Sequence, residues 1–392
     1  MFKRISGNTI IMLIAISVVV GFFVGTNSER ILSVVGPAFG IKVYAGEVDL
    51  SSLQHTYKAL KANYDGTLDD AKLIEGANKG MVSAVADTYT SYLTSSEASA
   101  FEDDLSGTIG GGIGAEIGLR NGNITIVRVL KDNAAINAGL KDGDMILMIN
   151  DQSTAGWTVE QAVTQIRGDV DTTVKLLVQR AGDIKDYTIT RALVTNPSVD
   201  GSVTDGIGIM TISRFDNQTT DLARALAQDF KKQNVKGIIL DLRDNGGGYV
   251  DAAQAVASLW LDNKVIVTER TNGQVTTTLK SGSNALLAGI PTVVLVNSGS
   301  ASASEIVAGA LQDYKIAKLV GEKTFGKGSV QKLIGLPDGA ELKVTVAKWY
   351  TPNGKNIMTE GIAPDIMTTI SQSDVDTNQD PQMDAAIKEL GL

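Results

Sequence analysis

Apolar residues crowd positions 10–24 almost without a break, behind Lys3 and Arg4. The run sits near the lower length limit for a membrane span, and basic residues ahead of it favour keeping that end in the cytoplasm. A cleaved signal peptide is the rival reading. No small-x-small site follows Val24 and Gly25, and the better match at residues 43–45 lies too far downstream. The expectation is an uncleaved transmembrane helix: a single-pass protein of the cytoplasmic membrane, with the rest of the chain on the extracytoplasmic side. Gly36, Pro37, Gly40 and Gly46 then mark a linker over residues 27–46. Beyond it, Leu53, Tyr57, Leu60, Lys61 and Tyr64 form a loose helical stripe, and residues 71–85 form another.

From residue 105 the pattern changes. Glycines cluster at 110–112 and 114, and short β-rich runs follow at 124–129, 145–149, 174–179 and 187–190. Asp142 and Gly143 supply turn chemistry, and residues 158–166 predict one short helix. This reads as a small strand-rich module closed by Asn196 and Pro197. Over residues 199–370 strands alternate with helices. Strands are predicted at 207–212, 237–242 and 291–297, and helices at 219–233, 251–261 and 304–313. Continuous apolar strands between helices point to an α/β layer with a largely parallel sheet. Residues 374–380 are polar and read as a flexible tail segment. The expected domains are an anchor (1–26), a linker and helical N-terminal region (27–104), the strand-rich module (105–192), an α/β core (193–372) and a C-terminal tail (373–392).

Composition excludes several classes. Among 392 residues the net charge is −9, whereas nucleic-acid binding wants a basic face. Without cysteine there is neither a disulfide nor a thiolate metal site, and with one histidine, His55, a zinc site would need an all-carboxylate shell. No cofactor is expected. His55 reads as a surface residue.

Two segments carry candidate chemistry: NSGSASASE at 297–305 and KTFGKGSVQ at 323–331. Ser302 follows a buried strand and opens a helix, where N-terminal amides stabilise an oxyanion. Ser302 and Glu305 also fit a helix-capping box, and Ser300 and Ser304 compete for any nucleophilic role. Lys327 lies between Gly326 and Gly328. A lysine serves as general base only when neutral, which requires bringing its pKa of about 10.4 down by burial. In a strand, Lys327, Ser329 and Gln331 share one face, so the Gln331 amide can hold the amine without adding a charge. The bland reading of each is a surface polar residue. DLRDNGGG at 241–248 offers a glycine-rich strand edge and a further oxyanion amide. Gly111 to Gly114 could form a nest of N–H groups for a terminal carboxylate, with a peptide adding as a strand.

Together these stretches resemble the C-terminal processing peptidases, or tail-specific proteases. Further matches are DTYTSYL at 87–93, residues 138–149, YTPNG at 350–354 and GIAPD at 361–365, so the likeness covers roughly residues 50–370. The resemblance implies a PDZ domain inserted ahead of a crotonase-like α/β core (ClpP/crotonase type) and a serine endopeptidase activity near substrate C-termini. It puts the nucleophile on Ser302, the base on Lys327 and its positioning amide on Gln331. The oxyanion amides fall on Gly247 and Ala303, and tail recognition on Gly112, Ile113 and Gly114. Implied partners are proteins with free C-terminal tails, an activating or adaptor protein, the membrane through the anchor, and further copies of the chain in a homo-oligomer. Gly246 stands where the family usually has proline.

Overall fold

Leu53, Tyr57 and Leu60 fall on helix α1 (Ser51–Asn63), all three exposed. The computed structural model describes residues 49–107 and 110–392, and the chain divides into two units, residues 1–74 and 75–392. Helix α2 (Asp70–Ser83) is followed by strand β1 (Ser91–Leu93) and α3 (Ser95–Ser106). Thr94 and Glu97 close a capping box that starts α3, and Gly107, left-handed at φ 74°, ends it.

The strand-rich module forms around one antiparallel sheet in the order β3 (Ala115–Arg120), β4 (Asn123–Val129), β5 (Met145–Ile149), β7 (Thr173–Arg180), β8 (Asp183–Thr190). The short α4 (Ala134–Asn137), β6 (Gln152–Ser153) and α5 (Val159–Ile166) complete it, and β2 (Gly111–Gly112) pairs with β9 (Ala192–Leu193) to close its base. Ile124, Ile126, Ile146, Leu176 and Ile166 meet in a core of its own. Thr158 and Gln161 cap α5 reciprocally, as the predicted helix start requires.

The second sheet runs β10 (Val199–Thr204), β11 (Ile207–Ile212), β12 (Gly237–Asp241), β15 (Thr292–Val296), β16 (Ala317–Gly321), β19 (Ile366–Met367). Only the β10–β11 pair is antiparallel. Alternation sends Ile238, Leu240, Val294 and Val296 to one face, against α6 (Thr219–Lys232), α7 (Val250–Ala257) and α8 (Ala303–Asp313). Ile239, Val293 and Leu295 point to the other face, where Ala386 and Met383 of α10 (Pro381–Leu390) cover them. Residues 374–380, expected to be flexible, instead contribute to α9 (Gln372–Asp376) and to the Asp380 cap of α10.

Two expectations are corrected. The crotonase-like core is not what this chain builds. A wholly antiparallel five-stranded sheet forms from β1, β13 (Val265–Thr271), β14 (Gln274–Lys280), β17 (Ser329–Gly335) and β18 (Glu341–Tyr350). The molecule is β-rich, and Trp349 and Ala347 of this sheet join the same core as α8. The membrane anchor is the second correction. Among the described residues no helix is long and apolar enough to cross a membrane. Even α2 and α6, at 14 residues each, reach only about 21 Å against a hydrocarbon core of roughly 30 Å. Residues 10–24, on which that expectation rested, lie outside the described residues. The transmembrane helix, the membrane as a partner and the extracytoplasmic localisation drawn from it therefore have no support among the described residues.

Candidate active site

Every residue of β15 is buried, so the chain leaves the sheet abruptly and must turn before α8. Asn297 fastens the turn: its Oδ1 accepts from the Gly299 and Asp244 amides, at 3.0 and 2.9 Å. Ser300 Oγ donates to the Leu242 carbonyl at 2.7 Å, and Ser304 Oγ donates to the Asn245 carbonyl at 2.9 Å. Both of those serines are completely buried. Ser302 differs from them. Its hydroxyl makes no capping hydrogen bond and faces a cleft of about 550 Å³. Its backbone takes φ 55° and ψ −113°, a left-handed conformation that costs a residue with a Cβ on the order of 1–3 kcal/mol. A serine on a strained strand-to-helix turn presents its hydroxyl outward. Ser302 and Glu305 still face each other as a capping box, whose one hydrogen bond of ordinary geometry is the Ser302 amide donating to Glu305 Oε2 at 2.8 Å.

Gly247 lies against this turn with φ 107°, and a Cβ there would meet the Ser302 Cβ at 2.7 Å and the Ala301 carbonyl at 2.9 Å. Only glycine fits. Its N–H donates to Asn245 Oδ1 at 2.9 Å, so in this conformation that amide is engaged. The Ala303 amide, first in α8, has no acceptor among the described residues. Gly246 is exposed, with open space where a Cβ would stand, so its glycine answers no packing demand.

Lys327 enters the same cleft, as do Gln331 and Ser329. The flanking glycines have steric reasons. A Cβ on Gly328 would meet the Met358 amide nitrogen at 2.1 Å, and one on Gly326 would meet the Thr359 carbonyl carbon at 3.0 Å. Burial holds the Lys327 amine below the ordinary lysine range, the nearby Lys343 ammonium adds to this, and the Glu305 carboxylate opposes both. Gln331 is on β17, but Lys327 precedes the strand and a register shift falls between Val330 and Gln331. The shared strand face expected for them is thereby broken. Gln331 Nε2 donates to the Tyr89 carbonyl at 2.6 Å. Among the described residues no hydrogen bond joins Ser302, Lys327 and Gln331 to one another. Ser302, Lys327, Gln331 and Gly247 thus share one cleft, with Ala303 directly behind the serine.

Gly112, Ile113 and Gly114 lie elsewhere, in the strand-rich module. Gly112 pairs with Ala192, Ile113 is buried in the module core, and Gly114 at φ 74° leaves no room for a Cβ beside Asn133. Helix α5 packs beside β3. His55 is exposed on α1.

Sequence reasoning missed the centre of the site's wiring. Glu305 is completely buried. Its Oε1 accepts from Thr324 Oγ1 at 2.6 Å and the Gly326 amide at 2.7 Å, and its Oε2 from the Ser302 amide and, at 2.9 Å, the Lys327 amide. One carboxylate therefore ties the serine turn to the lysine loop. Burial raises its pKa, against the pull of those donors. A lone acid in an otherwise uncharged helix start, SASEIVAGA, was the available signal. Asn245 is a second hub: its carbonyl also accepts from Ala301, and its Nδ2 donates to the Ile212 carbonyl at 2.7 Å.

A hydroxyl on a strained turn and a buried lysine amine thus share one cleft, in a chain that also carries a separate strand-rich module. Residues 206–368 match the model of "Peptidase family S41", residues 104–179 that of "PDZ domain", and residues 39–97 that of "Activating protease CtpB N-terminal domain". The chain is 37% identical over 319 residues to the probable CtpA-like serine protease of Staphylococcus haemolyticus (strain JCSC1435), covering 81% of this chain and 64% of that protein. It is 36% identical over 322 residues to the probable CtpA-like serine protease of Staphylococcus aureus (strain N315), covering 82% and 65%. It therefore spans slightly less than two thirds of the length of these curated relatives. Among solved structures it is similar to the photosystem II D1 C-terminal processing protease, with 28% identity, a TM-score of 0.52, and 82% and 87% of the two chains covered. A putative S41 protease from Bacteroides fragilis NCTC 9343 has the same fold, at 17% identity and a TM-score of 0.57 over 89% and 98%. The chain belongs to the CtpA-like serine proteases of peptidase family S41, with a PDZ domain. Its fold is that of these peptidase–PDZ proteins, not a crotonase.

Proposed function

We propose that this protein is a serine endopeptidase that cleaves proteins at or near their C-terminal tails. Ser302 attacks the peptide carbonyl, neutral Lys327 takes its proton and returns one to the leaving amine, and Gln331 positions the lysine. The amides of Ala303 and Gly247 receive the oxyanion, the latter after release from Asn245. Residues 105–192 form the PDZ domain, whose Gly112–Gly114 segment reads the substrate carboxylate. Residues 193–372 form the protease core, residues 27–104 the linker and helical N-terminal region, and residues 373–392 the C-terminal segment. The observation that carries the reading is the contrast among the three serines. Ser300 and Ser304 spend their hydroxyls on backbone carbonyls, whereas Ser302 keeps its own for the cleft it shares with Lys327.

The test incubates the full chain with a loosely folded protein ending in an apolar tail. Products are read by mass spectrometry for wild type and Ser302→Ala. Cleavage by wild type alone is expected, and equal cleavage by both would sink the assignment. A second reading is a dormant scaffold that binds tails without turnover. It draws on the Gln331–Tyr89 and Gly247–Asn245 hydrogen bonds, which keep the site unassembled. Tail binding by wild type with no cleavage would select it.

A further inference from the structure

Lys327 is not the only lysine in the cleft. Lys343, on β18, lines it too. Its direction is set by register: β18 places Lys343 opposite Leu333 of β17 and Ser91 of β1, and Thr345 opposite Gln331. Directly paired residues share a face of the sheet, and Leu333 and Gln331 both line the cleft. The Lys343 Nζ lies 5.0 Å from the centre of the Phe101 ring on α3, a cation–π placement. Among the described residues it has no carboxylate partner in an ion pair.

We propose that Lys343 is a positioning residue for the reaction: an ammonium, held over Phe101, whose repulsion across the cleft disfavours a proton on the Lys327 amine beside Ser302. The inference rests on the Ser302–Lys327 reading above.

The charges around Lys327 can be weighed one by one. Glu305, from α8, favours the protonated amine, but its carboxylate is already shared among four donors. Arg214 lines the cleft with its guanidinium 2.9 Å from Asp216, so its charge is compensated. Glu269 of β13 and Asp104 of α3 also line the cleft, and neither forms an ion pair with either lysine. Lys343 is left as the uncompensated like charge. A neighbouring cation disfavours the charged form of an amine, one of the recognised ways to activate a lysine. The aromatic ring suits this role better than a carboxylate would, because it holds the ammonium in place without cancelling its field.

The test compares wild type, Lys343→Met, Lys343→Gln, Lys343→Arg and Lys327→Met as full chains. Two pH profiles are measured: casein cleavage, as kcat/KM, and the rate at which acetic anhydride labels Lys327, read by peptide mass mapping. Labelling needs no turnover, so it reports on Lys327 even where the site stays unassembled. For Lys343→Met and Lys343→Gln, both the acid limb and the labelling curve are expected to move to higher pH. Cleavage at pH 7 falls by roughly tenfold or less, and the deficit shrinks as pH rises. Lys343→Arg keeps the charge and should track wild type. Unmoved curves in the two neutral variants, or an equal shift in Lys343→Arg, would overturn the role of Lys343. The underlying reading fails separately: if Lys327→Met cleaves casein like wild type, Lys327 is not the base whatever Lys343 does. Should Lys343→Met fold poorly, Lys343→Gln decides, and Lys343→Arg reports whether charge or shape matters.

Discussion

At the scale of single residues, Glu305 explains more of the site than any other side chain. All four of its partners are donors, three of them backbone amides that cannot become acceptors. Glu305→Gln would turn an NH₂ group toward N–H groups. Leaving buried donors unmatched costs about 1–3 kcal/mol, so a lower unfolding midpoint is expected together with a loss of at least roughly tenfold in cleavage. Unchanged stability and activity would refute the hub. Lys327 should behave in the opposite way. Its folded pKa is lowered by burial and then by Lys343, so between that value and about 10.4 the unfolded chain holds a proton the folded chain has released. Wild-type stability therefore rises with pH across this window and is poorest below it. Lys327→Met should abolish cleavage yet resist denaturant better than wild type at pH 7, with the gain shrinking by pH 10. A variant less stable than wild type at pH 7 would contradict the buried amine.

At the scale of elements, the loop after β12 and the helix α10 are joined by one arginine. Arg243 donates to both oxygens of Asp241 and to both of Asp380, the cap of α10. The Arg243 and Asp241 side chains are mostly buried. Arg243→Ala should cost about 2–3 kcal/mol, since charge-assisted hydrogen bonds are lost and a carboxylate is left unpaired. Hydrogen exchange should quicken first in α10, whose Ala386 and Met383 otherwise cover Ile239 and Val293. Protection of α10 at wild-type level would argue that apolar contact alone docks it. The strands β12 and β15 were legible beforehand as continuous apolar runs, and the helices α6 and α8 by their alternation with those runs. Strands β13 and β14 were not. They carry exposed threonines and charges; β13 pairs with its neighbour β14 across the Asn272–Gly273 turn and with β18, a partner distant in sequence.

At the scale of the whole molecule, the strand-rich module's own core, separate from the two clusters that flank the parallel sheet, predicts separable unfolding. Asp144 is completely buried, and Arg180 meets both its oxygens, at 2.5 and 2.6 Å. Burial works to raise the Asp144 pKa, but the Arg180 contacts prevail and lower it. The clamp thus stabilises the PDZ domain above the unfolded aspartate value of about 3.9 and is lost as pH falls through the folded one. Arg180→Met should lower a PDZ transition in scanning calorimetry by several degrees while leaving the protease-core transition in place. A joint shift of both would mean the domains unfold as one. The sequence alone determined the main strands and helices of the α/β segment, the PDZ-like glycine segment, and the serine, lysine and glutamine at their spacings, because local period and turn chemistry are written in neighbouring residues. Residue chemistry alone left Ser300, Ser302 and Ser304 open, with only the family resemblance favouring Ser302, and the sequence could not reveal Glu305 as the tie between two loops or bring Lys343 to the cleft. Those depend on which hydroxyls meet distant carbonyls and which strands pair. Only tertiary structure decides this, because a buried donor takes its partner from whatever the fold brings within 3 Å.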